Sequence, residues 1–145
     1  MKSITATLFT GLFLLFQSCS EKDKECNGIC SEEYRTIVVV IKDSEGEPMV
    51  LDSFKVEDLS SGRDLTIQPD DPAYMRERGL YPIFSDRYAQ EYRQRQIQIK
   101  FTGYIEGEEV VSEVYRVGAD CCHVYHVSGD LKLVLQKVLY DSMMM

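Results

Sequence analysis

Cys121 and Cys122 stand side by side, and that adjacency limits this chain more than any other feature. Neighbours on an extended backbone point to opposite faces. A disulfide between them needs a geometry that a normal backbone does not allow without strain. Their sulfurs therefore stay free or take partners elsewhere in the chain. The surrounding block, Gly118-Ala119-Asp120-Cys121-Cys122-His123-Val124-Tyr125-His126-Val127, also holds both histidines of the 145 residues and two of the five cysteines. Soft-ligand or nucleophile chemistry would have to sit here.

The compartment follows from the other end. Lys2 gives a positive start, and Leu8-Phe9-Thr10-Gly11-Leu12-Phe13-Leu14-Leu15-Phe16 gives an apolar run, followed by small Ser18. That is the pattern of a secretory signal, and it is too short for a stable membrane span. An uncut N-terminal anchor helix is the less favoured alternative. Phe16-Gln17-Ser18-Cys19 resembles a bacterial lipobox, in which the cysteine is lipidated and becomes the N-terminus. The following Ser20-Glu21-Lys22-Asp23-Lys24-Glu25 resembles the charged export signal of Bacteroidota lipoproteins. The resemblance implies lipid on Cys19, a membrane partner through that lipid, and an outer-membrane location. It favours the cell surface, with the periplasmic face as the alternative. Several acyl chains on one cysteine anchor stably where a single chain is marginal.

With Cys19 taken by lipid, Cys26, Cys30, Cys121 and Cys122 remain. An even number in an exported, oxidising setting reads as two disulfides. Excluding the Cys121–Cys122 bond leaves two connectivities, both tying Cys26 and Cys30 to the adjacent pair. A zinc site from these cysteines with His123 and His126 is the competing reading. Adjacent ligands on opposite faces and the oxidising compartment weigh against it. A Cys–His nucleophile is disfavoured for the same reasons. The two histidines then read as one packed and one exposed strand residue. No metal and no cofactor is expected.

The rest of the chain reads as strands. Thr36 to Ile41 is a β-branched run closed by Asp43-Ser44-Glu45-Gly46-Glu47-Pro48, the mark of a buried strand and a turn. A strand over 50–59, with Phe54 and Val56 on one face, precedes a short one over 64–67. Residues 68–79 are irregular, with at most a helical turn in 73–78. Residues 80–84 form a strand that Pro82 places at an edge, and 85–95 reads as a short helix or an exposed loop. Residues 96–101 alternate strictly, turn at Glu106-Gly107, and return over 110–117. The last strand spans 130–135, with Leu131, Leu133 and Leu135 inward. The domain plan is a signal (1–18), a lipidated tether (19–33), a sandwich (34–140) and a tail (141–145).

Seven or so strands in about 110 residues point to an all-β immunoglobulin-like or transthyretin-like β-sandwich. Val40 to Val50 resembles the opening hairpin of transthyretin-like, carboxypeptidase-regulatory-type domains. The Gly118–Val124 block followed by Ser128-Gly129 is similar to one found in small uncharacterised Bacteroidota lipoproteins.

A formal net charge of −8, with no basic stripe, argues against nucleic acid as a partner. Tyr74, Arg76, Tyr81, Tyr88 and Tyr92 mark a candidate binding surface for a glycan or an envelope protein. Tyrosines that cap the sandwich ends are the plainer reading. The carboxylates Asp58, Asp70, Asp71, Asp86, Glu108 and Glu109 read as solvated turns rather than as a hydrolase pair. The expected role is therefore a non-catalytic binding or accessory module. A hydrolase or zinc enzyme built on the Cys/His block or the loop carboxylates is the alternative.

Overall fold

A computed structural model describes residues 26–136; the expected signal, the expected lipidation site Cys19 and the tail lie outside these residues. The strands are β1 (Thr36–Asp43), β2 (Ser53–Asp58), β3 (Leu80–Ser85), β4 (Arg95–Ile105), β5 (Glu108–Ala119), β6 (Val124–Ser128) and β7 (Lys132–Leu135). They form a three-stranded sheet, β3-β1-β7, and a four-stranded sheet, β2-β4-β5-β6. One short helix, α1 (Pro72–Glu77), and a single 3-10 turn at Asp86–Tyr88 interrupt them. The described residues form an all-β sandwich of seven strands.

Period-2 patterning places the core between the sheets. Ile37, Val39 and Ile41 of β1 meet Val56 of β2, Ile99 and Phe101 of β4, and Tyr115 and Val117 of β5, all buried. The alternate residues of β1, Val38 and Val40, are half-buried, so the β-branched run covers one closed face and one partly open one. The β4–β5 hairpin turns through Glu106 and Gly107, both at positive φ. That pair is the type I′ turn whose twist suits antiparallel strands.

Three expectations change. Residues 64–67 form no strand: Asp64 makes one isolated bridge to Glu57, and Leu65 instead plugs the core. The last strand is shorter than expected and pairs parallel to β1, Val40 opposite Lys132. Residues 85–95 are no exposed loop, because Tyr88, Ala89 and Tyr92 are buried. Phe84 stacks on Tyr88, with ring centroids 5.6 Å apart, and meets Tyr92 edge-on.

The register gives the sandwich two distinct ends. At one end Thr36 pairs with Ser85 and Arg95 with Ala119. At the other Val40 pairs with Leu80 and Ser53 with Tyr104. Nine residue steps along β4 separate Arg95 from Tyr104, which at roughly 3.3 Å each is about 30 Å.

Candidate functional site

The first end is a fastening. The β5–β6 hairpin is closed by the Asp120 N–H donating to the His123 carbonyl at 3.0 Å. The Asp120 carboxylate accepts the N–H groups of Cys122 and His123 at 2.7 and 2.8 Å. Those two bonds, His123's first, hold its carboxyl below the usual aspartate range. So held, the hairpin tip presents both sulfurs to the incoming chain. Cys26 bonds Cys121 and Cys30 bonds Cys122. The Gln94 amide lies 3.2 Å from Cys26 Sγ and 3.3 Å from Cys121 Sγ.

His123 lies in the hairpin tip and is buried, while His126 in β6 is exposed. The His123 ring joins three segments. Nδ1 is 2.7 Å from Asp86 Oδ2, and Nε2 is 2.9 Å from Ser31 Oγ. Asp86 also accepts the N–H groups of Arg35 and Val124, at 2.8 and 2.7 Å. Burial acts to raise the Asp86 carboxyl, but the His123 hydrogen bond and the two backbone donors outweigh it and lower it. Beside an ionised Asp86, Nδ1 is the donor to the carboxylate, and in the neutral ring Nε2 then accepts from Ser31. The order Asp–His–Ser is that of an orienting acid, a base and a nucleophile. Acyl transfer also needs donors facing an oxyanion and a substrate cleft. Ser31 and His123 border neither of the hollows beside β3.

Sequence reasoning missed Ser31 and took Asp58 and Asp86 for solvated turns. Asp58 is 3% exposed, and its carboxylate accepts from Ser60 N–H, Ser60 Oγ, Ser61 Oγ and the Tyr92 hydroxyl. The one available signal was Ser-Asp and Asp-x-Ser at strand ends, where side chains satisfy loop N–H groups. No group of three or more His, Cys, Asp or Glu suited to a metal occurs among the described residues.

The second end carries a cleft. Asp71 caps α1 by accepting the Tyr74 N–H at 3.0 Å, Pro72 starts the helix, and Gly79 at φ +65° ends it. That places Pro72, Met75 and Arg76 over the start of β3, opposite Leu51 and Phe54. A pocket of about 170 Å³ lies between them. Tyr81 forms its wall, its hydroxyl donating to the Met49 carbonyl at 2.8 Å and accepting the Leu51 N–H at 2.7 Å. Burial raises the Tyr81 hydroxyl. A second hollow, about 430 Å³, shares Gln68, Pro69, Met75 and Pro82 with the first and runs back along β3 to Tyr34, Thr36, Ser85 and Arg87 at the fastening end.

The expected binding surface divides here. Tyr88 and Tyr92 belong to the core and present nothing to a ligand. Tyr81 is equally buried but walls the pocket. Tyr74 is exposed, with the Arg78 guanidinium 4.5 Å from its ring centre, and does not line the pocket. Arg76 does line it.

No family model, no curated protein and no solved structure matches this chain.

Proposed function

We propose that this chain is a lipid-anchored module of the bacterial outer membrane that holds one end of its sandwich to the tether and binds an envelope ligand at the other. One observation carries the reading. The disulfides, His123 and Asp86 gather where the tether enters, and the cleft beside α1 lies at the opposite end of β4. A tether fixed at one end leaves the far end free to face outward. The module acts by binding, without cofactor or catalysis. Its relatives are small Bacteroidota surface lipoproteins with a transthyretin-like or immunoglobulin-like sandwich. Its ligand is a glycan or an envelope protein.

Fractionation with fatty-acid labelling tests the anchor. The wild-type chain takes the label and sediments with outer membranes, while Cys19→Ala remains unlabelled and membrane-free. Equal labelling of both would overturn the proposal.

A second reading rests on the Asp86–His123–Ser31 order. If that relay serves acyl transfer, a fluorophosphonate probe labels Ser31 and Ser31→Ala abolishes the adduct. The binding reading expects no adduct on either protein.

A further inference from the structure

We infer that the pocket beside α1 takes the C-terminal residue of a peptide, its apolar side chain among Leu51, Phe54 and Met75 and its carboxylate on Arg76. The inference rests on the binding function proposed for this cleft and names its ligand. Most of the wall is apolar: besides those three, Pro69, Pro72 and Pro82 contribute. Sugar sites expose aromatic faces and converging polar groups, whereas Tyr81 is 1% exposed and its hydroxyl is already used twice. The one cation in this wall is Arg76. Its Nε is buried without a hydrogen-bond partner, and no carboxylate of the described residues forms an ion pair with it. Arg76 is half-buried, so its outer nitrogens stay open to an incoming group while the buried Nε–H lacks an acceptor, a costly state, and the planar fork matches a carboxylate. The acid that lines the pocket, Asp52, accepts the Glu106 N–H at 2.6 Å and so is tied to the β4–β5 turn. In a chain of net charge −8, an unpaired arginine in such a place points to an incoming anion.

The length of the cleft selects a peptide over a small acid. The pocket shares Gln68, Pro69, Met75 and Pro82 with the hollow that runs along β3 to Tyr34 and Arg87. A terminal side chain fills the first, and the two or three residues before it lie in the second.

The test uses the full-length lipidated protein in detergent and pentapeptides ending in leucine or phenylalanine, each as free acid and as C-terminal amide. Free acids are expected to bind, and amides about ten- to a hundredfold more weakly. Arg76→Met should remove the difference between acid and amide at unchanged melting temperature, and Arg76→Lys should keep part of it. Dodecanoate, an apolar acid with no peptide, should compete at least tenfold more weakly than the peptide acid. Equal binding of acid and amide, an unaffected Arg76→Met variant, dodecanoate binding as tightly as peptide, or no peptide binding would each overturn the inference. Met75→Trp, which fills the pocket, separates the two levels. If no peptide binds yet a glycan array shows ligands that Met75→Trp loses, the cleft is the binding site and only the ligand assigned here is wrong. If ligands found on the array survive Met75→Trp, the cleft reading itself fails.

Discussion

Asp86 accepts three hydrogen bonds from three parts of the chain: Arg35 just before β1, His123 in the hairpin tip and Val124 at the start of β6. Its side chain is only 9% exposed, so removing it strands donors that water reaches poorly. Asp86→Ala is expected to cost about 3 kcal/mol in urea unfolding at pH 7. The carboxyl is lowered in the folded protein, so its contribution is full above the unfolded value, near 4, and is lost as pH falls through the depressed folded value. The stability gap between wild type and Asp86→Asn should therefore shrink below pH 4; a gap constant down to pH 2 would contradict this. Tyr92 acts at the other extreme. Burial, then the charge of Asp58 and the hydrogen bond to it, push its hydroxyl up to about 12. A raised value stabilises below the unfolded value, near 10, and that part is lost as pH rises from 10 to 12. Tyr92→Phe should flatten the alkaline loss of stability over that range, measured by urea midpoints at pH 9 and pH 11.5. None of these partners was legible in the sequence. Asp86 and His123 are 37 residues apart, and only the fold makes them neighbours.

At the scale of elements, local pattern sufficed wherever neighbours in sequence decide the structure. Alternation marked β4, Glu106-Gly107 marked its turn, and Pro82 marked an edge strand, because each depends on a few adjacent residues. Parallel pairing of β7 with β1 joins residues some 90 apart, and the burial of Tyr88 depends on Phe84 and Leu65 closing around it. Neither leaves a local trace. Gly79 shows an element junction under tight constraint. It ends α1 at φ +65°, and its carbonyl accepts the Ile41 N–H at 2.8 Å. A Cβ there would sit 2.2 Å from the Ile41 backbone oxygen. Positive φ and a backbone clash act together, so Gly79→Ala is expected to cost more than about 1 kcal/mol. Because Gly79 sets how α1 lies over β3, the same variant should weaken ligand binding in the cleft. Chemical unfolding and titration of one sample read both effects, and unchanged stability would refute the packing argument.

For the molecule as a whole, the two disulfides do different work according to which is made first. Either alone closes a ring of more than 90 residues, worth about 4.7 kcal/mol of unfolded-state entropy. Once one is in place, the other closes only the small ring made by residues 26–30 and the adjacent pair, worth about 2.4 kcal/mol. Replacing Cys26 and Cys121 by serine, or Cys30 and Cys122, should therefore cost about 2.4 kcal/mol each. Replacing all four should cost about 7 kcal/mol, more than the two single losses combined. Additive losses in urea unfolding would show that the chain is not held in this nested way. The same nesting sets the path of an applied force. A pull applied at Cys26 passes through its disulfide to Cys121 in the β5–β6 hairpin, leaving β1 unloaded. In single-molecule pulling from residue 26, the intact protein should resist extension of residues 26–121, whereas the reduced protein should peel from Ser31 onward, breaking the Ser31–His123 and Arg35–Asp86 hydrogen bonds in turn.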